Sequence, residues 1–160
     1  MPFTILRGSA FLEVLGLIVG GDGVIRGPGG SGRLAPVARD DLAATAAAVL
    51  AADGAYDGET FDVTGAERLS LADIAAAFAA ASRRQISYVA ETLEDALAAR
   101  RGMGVEEWVV DAWVGTYVAI ARGELDVVSD TVARLCGHAP MSLAAFLEAH
   151  PESYEHVKPR

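Results

Sequence analysis

Short apolar segments alternate with alanine-rich helical windows in the first half of the chain, and this alternation limits the fold more than any other feature. Asp40 or Asp41 can accept hydrogen bonds from the free N–H groups that open one alanine-rich helix. Ser70 and Asp73, three residues apart, form a variant of the capping box at the start of a second helix. Residues 61–63, between these helices, are typical of a short buried strand. Helices that alternate with such strands predict an α/β fold.

The same signals predict the elements of the first half. Strands are expected at residues 3–6, 34–38, 59–63 and 86–89, and helices at residues 41–52, at 71–82 and in a short segment that ends near residue 17. The glycine-rich residues 20–32 predict a loop-rich hairpin. Strand 3–6 is apolar on both faces, which is typical of a parallel sheet covered by helices. We expect it beside strand 59–63 or 34–38, with one edge open to residues upstream of Met1 or to a second copy of the chain.

After Thr92 the strand signals end, and the sequence predicts a small helical lobe. Helices are expected at residues 93–101, 105–122, 130–135 and 143–149. Thr92, Ser129 and Ser142 are the expected N-caps, and Gly123 and Gly137 fit positions just past a helix end. These signals divide the chain into an α/β part (1–91), a helical lobe (92–150) and a polar, frayed tail (151–160).

The charge and the cysteine content argue against several classes of protein. With a net charge of −9 and Lys158 as its only lysine, the chain lacks the basic clusters that bind nucleic acids and anionic membranes. The apolar residues 11–19 include Glu13 and are too few to span a bilayer. Cys136 is the only cysteine, so no internal disulfide forms, and nothing marks export. We therefore expect a cytoplasmic protein with no nucleic-acid or membrane partner.

Residues 27–32, Gly-Pro-Gly-Gly-Ser-Gly, match the Gly-x-Gly-x-x-Gly pattern of a phosphate-binding loop. Such a loop works because a strand delivers the glycines to a helix N-terminus, whose free N–H groups hold the diphosphate. Here residues 33–36 follow and open no helix, and Asp53, the nearest acid at a suitable distance, is expected in a loop. The sequence therefore favours a flexible loop over a phosphate site.

Two further motif matches do not indicate a catalytic or metal site. Tyr154 and Lys158 have the Tyr-x-x-x-Lys spacing of catalytic short-chain dehydrogenases, but they follow a proline in a polar tail. Cys136 and the three histidines do not provide the two close ligand pairs of a zinc site. No serine lies in a Gly-x-Ser-x-Gly elbow. We therefore expect no metal, and the sequence identifies no catalytic residue.

The loop after the first strand is the stronger candidate for a binding site. In open α/β sheets ligands bind outside the carboxyl ends of strands, and residues 7–11 have that position. The alternative is a strand-to-helix turn with Phe11 in the core, and the residues alone favour neither. On the long predicted helix, Trp113 and Tyr117 share a face and Trp108 is partly displaced. Core packing is the favoured explanation for these aromatic residues.

The order of these segments resembles the C-terminal half of the NmrA-like branch of the atypical short-chain dehydrogenase/reductases. The resemblance extends from Phe3-Thr4-Ile5-Leu6-Arg7 at the front to the stretch between Ser129 and Pro140. The N-terminal half of the family, which carries the glycine-rich dinucleotide fingerprint, has no counterpart in this sequence. The resemblance implies the C-terminal part of a Rossmann-type, doubly wound sheet with a helical substrate lobe.

The resemblance also implies site residues, because in the family the loop after this strand flanks the nicotinamide and the substrate cleft. The residues that match the nicotinamide end are Arg7, Gly8, Ser9 and Phe11. The residues implied on the substrate side are Phe11, Glu13, Trp108 and Trp113.

Two functions are consistent with this resemblance. The first is the substrate-lobe portion of an NAD(P)-dependent oxidoreductase that acts on quinones or other small carbonyl compounds. The second is a non-enzymatic, NmrA-like regulatory or protein-binding module. Because the fingerprint is missing, we expect NAD(P) not to bind to this chain alone. The expected partners are a small-molecule substrate in the complete enzyme and either a second copy of the chain or a missing N-terminal half.

Overall fold

The computed structural model describes residues 2–157 and has the α/β fold that the sequence predicts. The strands are β1 (Ile5–Gly8), β2 (Val24–Gly27), β3 (Arg33–Leu34), β4 (Thr60–Val63), β5 (Leu69–Ser70) and β6 (Ser87–Ala90). The α-helices are α1 (Arg39–Ala51), α2 (Leu71–Ser82), α3 (Leu93–Arg101), α4 (Glu107–Ala121), α5 (Thr131–Cys136) and α6 (Leu143–Ala149). Two 3-10 helices, Leu12–Ile18 and Pro151–Val157, complete the elements of the described residues. Within these residues every element after β6 is helical, as predicted.

The strands form three pairs. β1 lies parallel to β4, with Ile5 opposite Thr60, which confirms one of the two neighbours expected for the first strand. β2 lies parallel to β6, with Val24 opposite Ser87. β3 and β5 form a short antiparallel pair. The two parallel pairs are the structural result of the strand and helix alternation seen in the sequence.

The predicted hairpin between residues 20 and 38 is wrong, because β2 and β3 pair with β6 and β5 instead of with each other. Ile25 on β2 is completely buried, so this strand is held by the core rather than by a turn. The expected return strand is reduced to Arg33–Leu34. After it, the Ala35 N–H donates to the Leu125 carbonyl at 3.2 Å, and Pro36 has no N–H to donate to a ladder.

The first strand is less buried than its apolar sequence predicts. Phe3 is 59% exposed and Ile5 is 44% exposed. Along one edge β1 is hydrogen-bonded to β4. The pairing with β4 therefore agrees with the prediction, whereas the expected burial of both faces does not occur.

The main core lies between α2, α4, α6 and the two 3-10 helices. Phe78 of α2 is completely buried, and its ring meets the ring of Tyr154 edge to face at 6.1 Å between centroids. Val157 is also completely buried. The expectation of a frayed tail is therefore wrong for residues 151–157, because Tyr154 and Val157 add apolar surface to the core. Lys158 of the Tyr-x-x-x-Lys match lies outside the described residues.

Most of the predicted helix ends are confirmed. Ser70 and Asp73 form a reciprocal capping box at the start of α2. Thr92 and Ser142 each accept a hydrogen bond from a backbone N–H in the first turn of their helix. Gly123 and Gly137 follow α4 and α5 with φ of 76° and 74°, a conformation that glycine adopts without strain.

Two predicted caps are wrong. Ser129 does not cap α5, since its hydroxyl donates to the Asp62 carbonyl at 2.5 Å. Neither Asp40 nor Asp41 caps α1. The buried Asp41 carboxylate instead accepts a hydrogen bond from the Met141 N–H at 2.8 Å, and Glu13 accepts from the first N–H of α1. Tertiary contacts have taken the place of the local cap in both cases.

Candidate functional site

A polar cavity of about 280 Å³ lies where β1 and β4 end. Its lining residues are Arg7, Gly8, Ser9, Asp62, Thr64, Glu124, Leu125 and Val127. The carboxyl ends of two neighbouring parallel strands meet here, which is the place where open α/β sheets bind ligands. Three of the four residues implied at the nicotinamide end, Arg7, Gly8 and Ser9, line this cavity.

The charged wall of the polar cavity is a paired Arg7 and Asp62. Arg7 Nε and one terminal nitrogen donate to the two carboxylate oxygens of Asp62 at 2.8 and 2.9 Å. This two-bond geometry fixes the plane of the guanidinium against the end of β4. The guanidinium of Arg7 is therefore fixed in position and its charge is paired.

Ser9 is the unsatisfied polar group of this cavity. Its N–H donates to the Val63 carbonyl at 3.0 Å, which holds the loop against the end of β4. Its Oγ is buried and has no hydrogen-bond partner among the described residues. A buried hydroxyl without a partner is costly, so a polar group that reached this atom from the cavity would gain a hydrogen bond.

Two hydroxyl groups join the end of β4 to the segment before α5. Thr64 Oγ1 accepts a hydrogen bond from the Ser129 N–H at 2.9 Å. The Ser129 hydroxyl donates to the Asp62 carbonyl, as described for the missing cap. These bonds fix Asp62 and Thr64, two lining residues of the polar cavity, and Ser129 stabilises the end of β4 rather than the start of a helix.

An apolar cavity of about 370 Å³ lies next to the same loop, between the 3-10 helix Leu12–Ile18 and α4. Its lining residues are Ala10, Val14, Leu15, Leu17, Ile18, Leu34, Leu71, Trp113, Thr116, Tyr117 and Ile120. Ser9 lines the polar cavity and Ala10, the next residue, lines the apolar one. A ligand with a polar end and a flat apolar body fits this pair of cavities.

Trp113 and Tyr117 separate the apolar cavity from a third cavity of about 250 Å³, which they also line. Tyr117 is almost completely buried, and burial raises the pKa of its hydroxyl, so the group stays protonated at neutral pH. The guanidinium of Arg100, which lines the third cavity, lies 5.0 Å from the centre of the Trp113 ring and 5.5 Å from that of Tyr117. The two aromatic residues thus form walls of cavities as well as part of the core.

The structure places the other sequence-derived candidates away from these cavities. Phe11 packs beside Val37 in a smaller core cluster, with the Arg39 guanidinium 5.4 Å from its ring. Glu13 Oε1 accepts a hydrogen bond from the Arg39 N–H at 2.9 Å, which makes Glu13 the cap of α1. Trp108 is 68% exposed near the start of α4. Of the residues implied on the substrate side, Trp113 is the one that lines the apolar cavity.

Several residues of the site were missed from the sequence. Asp62 and Thr64 could have been found, because they end the strand predicted beside the first one, and neighbouring parallel strands bring their carboxyl ends together. Arg100 gives no such signal. An arginine in a predicted helix is usually solvated, whereas this one is buried by contacts with α4, Glu91 and the Arg26 carbonyl of β2.

The glycine run 27–32 contacts α4 and α2. A Cβ on Gly32 would lie 2.1 Å from the Ile120 carbonyl oxygen, and a Cβ on Gly27 would lie 2.6 Å from the ring of Tyr117. The run leads into β3 and not into a helix, as the sequence predicts. These glycines allow close packing, whereas a dinucleotide's diphosphate needs a helix N-terminus after the loop. Residues 27–32 therefore offer no diphosphate cradle.

Metal binding and membrane insertion can be assessed for the described part of the chain. Within residues 2–157, no group of three or more His, Cys, Asp or Glu side chains is placed to hold a metal ion. None of the helices in those residues has both the length and the apolar character needed to cross a membrane.

Sequence comparison identifies relatives among bacterial reductases. No model of a known protein family matches the sequence. The NAD(P)H azoreductase of Xenophilus azovorans is 36% identical over 127 residues, which are 79% of this chain and 44% of that protein. Quinone oxidoreductase 2 of Escherichia coli is 30% identical over 122 residues, which are 76% of this chain and 42% of that protein. This chain thus spans less than half of either relative.

Comparison with solved structures gives the same result for the fold. The NADPH complex of Escherichia coli quinone oxidoreductase 2 superposes with a TM-score of 0.84 and 26% identity over 93% of this chain and 53% of that one. The NADP(H) complex of Citrobacter triphenylmethane reductase superposes with a TM-score of 0.80 and 24% identity over 92% of this chain and 53% of that one. The second match supports the fold alone. The chain is therefore a Rossmann-like homologue of NAD(P)H-dependent reductases that spans about half of their length, in agreement with the predicted resemblance to the C-terminal half of an atypical short-chain dehydrogenase/reductase.

Proposed function

We propose that this chain forms the substrate side of an NAD(P)H-dependent oxidoreductase that reduces flat aromatic compounds of the quinone or azo type. The observation that carries the proposal is that consecutive residues of one loop line two cavities of different polarity. Ser9 lines a polar cavity at the ends of β1 and β4, and Ala10 lines an apolar cavity beneath α4. A nicotinamide in the first would face an aromatic substrate in the second. The names of the azo and quinone reductases that the chain resembles support this substrate class.

In this proposal the residues of the polar cavity hold the nicotinamide end of the cofactor, which supplies a hydride when bound. The unpartnered Ser9 hydroxyl hydrogen-bonds to the carboxamide group. Arg7, fixed by Asp62, covers the outer side of the cavity. Phe11 acts indirectly, since its ring lies 3.7 Å from the position of a Cβ on Gly8 and so helps to shape the loop.

The apolar cavity selects the substrate by shape and polarity. Its walls are aliphatic and aromatic, so a planar, uncharged ring system can replace water there without losing hydrogen bonds. Trp113 gives this cavity a flat aromatic wall on which such a ring can stack. Glu13 supports the site by fixing the start of α1, and the proposal assigns no substrate contact to the exposed Trp108.

Tryptophan fluorescence tests substrate binding with the full chain. The chain has two tryptophans, so a Trp108→Phe variant leaves Trp113 in the apolar cavity as the reporter. Titration of this variant with naphthoquinone should quench the fluorescence of Trp113 in a saturable way. An additional Thr116→Phe substitution fills the cavity and should weaken the binding at least tenfold. The matched control is Ala112→Phe, an exposed position on the same helix that does not line this cavity.

Two outcomes would contradict the proposal. One is the absence of saturable quenching up to the solubility limit of naphthoquinone, which would favour the second function considered from the sequence, a protein-binding module. The other is equal weakening by Thr116→Phe and Ala112→Phe, because quenching would then report on the surface of α4 rather than on the cavity.

A further inference from the structure

We infer that Arg100 forms a polar subsite that donates a hydrogen bond to a neutral carbonyl oxygen of the substrate, while the substrate's ring occupies the adjoining apolar cavity. This inference rests on the proposed function and deepens it by naming the group that is recognised. It concerns the third cavity, of about 250 Å³, which Arg100, Glu91, Arg26 and Met103 help to line.

The apolar cavity and the third cavity are neighbours with a common wall. Leu17, Ile18, Trp113 and Tyr117 line both. A bicyclic ligand stacked on Trp113 therefore lies against the border between them. In the inferred complex a substituent on this ring passes between the shared side chains into the third cavity, while the ring stays in the apolar one.

Arg100 is a polar group of the third cavity that has an unused donor. It is 4% exposed. One terminal nitrogen donates to Glu91 and to the Ala96 carbonyl, both at 3.0 Å, and the other donates to the Arg26 carbonyl at 2.8 Å. Its Nε is buried without a hydrogen-bond partner among the described residues. An arginine N–H left without an acceptor in the interior is costly, and an acceptor atom from a ligand would satisfy it.

The charges around the cavity favour a neutral acceptor over an anion. The positive charge of Arg100 is balanced by Glu91 at 3.0 Å. Arg26, the other cation in the lining, is paired with Asp22 at 2.7 Å. With both cations paired, a carboxylate would lose its hydration and gain little attraction. A quinone or ketone oxygen has far less hydration to lose and accepts the same hydrogen bond.

The pairing of Arg100 with Glu91 need not add to the stability of the fold. Buried ion pairs often contribute no more to stability than apolar residues of the same volume. Here the pair lies beside two aromatic walls that could have packed against such residues. Recognition of a substrate oxygen gives this buried charge a function.

A comparison of naphthoquinone with naphthalene tests the hydrogen bond. Both ligands are titrated into the Trp108→Phe chain, with Trp113 fluorescence as the readout. The quinone should bind about tenfold more tightly than the hydrocarbon, as expected for one hydrogen bond to a charged donor. Arg100→Lys keeps the charge but removes the Nε donor, so this preference should fall to about twofold or less, whereas naphthalene affinity should stay within about twofold. Arg101→Lys, at an exposed neighbour, is the matched control and should keep the preference.

A second variant tests the charge balance around Arg100. It also tests the inference if circular dichroism shows that Arg100→Lys does not fold. Glu91→Gln removes the carboxylate that neutralises Arg100. It should raise the affinity for the anion naphthoate at least fivefold, while the native chain should prefer the quinone to naphthoate. An unchanged naphthoate affinity in Glu91→Gln would overturn the inference, as would equal binding of quinone and naphthalene to the native chain. If no aromatic ligand binds at all, the proposed function itself fails, so the two failures are distinguishable.

Discussion

The backbone N–H of Arg39 donates a hydrogen bond to Oε1 of Glu13 at 2.9 Å, so the carboxylate that caps helix α1 comes from 26 residues earlier in the chain. This bond joins the 3-10 helix Leu12–Ile18, one wall of the apolar cavity, to the helix that packs behind β1. Glu13 therefore connects the loop of the candidate site to the scaffold.

Replacement of Glu13 separates this structural role from a role in substrate binding. Glu13→Ala should lower the free energy of unfolding by about 1 kcal/mol, the usual effect of losing a helix cap. Glu13→Gln keeps an oxygen acceptor for the Arg39 N–H and should lose less. Urea denaturation gives both values. A fall in naphthoquinone affinity with no loss of stability would instead support the substrate contact implied by the family resemblance.

Asp40 and Asp41 are adjacent in sequence but differ in their contacts. Asp41 is buried and accepts a hydrogen bond from the Met141 N–H, whereas Asp40 is exposed in the first turn of α1. Asp41→Ala should reduce the free energy of unfolding by about 2 kcal/mol, because it leaves a partly buried N–H without an acceptor. Asp40→Ala is the matched control, with an expected change below about 0.5 kcal/mol.

Thermal or urea denaturation of the two variants decides between a tertiary and a local role. Equal losses would indicate that both carboxylates act through the start of the helix, as the sequence suggested. A larger loss for Asp41→Ala confirms that this carboxylate holds the segment before α6 against α1.

The capping box of α2 should give a measurable dependence of stability on pH. The Ser70 hydroxyl and the Ser70 N–H donate to the Asp73 carboxylate and hold the pKa of Asp73 below its usual range. A carboxyl with a lower pKa in the folded state stabilises the fold above its unfolded-state pKa, and this contribution is lost as the pH falls through the folded-state value. Ser70→Ala should therefore cost about 1 kcal/mol at neutral pH, with Ser70→Gly costing less.

The difference between Ser70→Ala and the native chain should narrow as the pH falls below the usual range for a carboxyl and through the lowered pKa of Asp73 in the folded chain. Urea denaturation across this pH range measures the difference. A constant difference at all pH values would show that Asp73 does not take part in the cap.

The fold could be predicted from the sequence wherever one segment determines its own structure. The capping box at Ser70 and the alanine-rich α1 are such cases, and both helices were placed within two residues of their observed bounds. Strand pairing was less predictable, because β2 pairs with β6, and two α-helices separate these strands in the sequence. No local pattern distinguishes that pairing from a hairpin across the glycine run.

The candidate site could be predicted only in part, because some of its residues come together through contacts between distant segments. The loop that carries Arg7 and Ser9 follows a strand and could be located by a general rule for α/β sheets. Asp62 faces Arg7 through the register of β1 with β4, and Arg100 enters the site through the packing of α3 against α4. Both depend on contacts between segments that are far apart in sequence, as does the cap that Glu13 provides.

The last prediction is that this chain alone does not bind NADPH measurably. Most of a dinucleotide's affinity in such folds comes from a glycine turn and the helix N-terminus behind it, with further contacts to the ribose. Here the glycine run leads into β3, and Gly27 and Gly32 are needed for contact with α4. The polar cavity can hold the nicotinamide end alone. Calorimetric titration of the full chain with NADPH should therefore show no saturable heat at micromolar concentrations.

A variant at Ser31 tests whether residues 27–32 bind a phosphate of NADPH, without disturbing the packing of the glycines. Ser31 is exposed within the run, so Ser31→Glu adds a negative charge to the segment that would hold a phosphate, and Ser87→Glu adds the same charge at an exposed strand position. Micromolar NADPH binding that Ser31→Glu abolishes and Ser87→Glu preserves would show that residues 27–32 do form a phosphate loop. Binding that appears only after addition of a separate polypeptide with a strand and a glycine-rich turn, and that Ser9→Ala weakens, would support the division of the nucleotide site between two segments. Ser9 then contacts the nicotinamide end, and the diphosphate is held by the added segment.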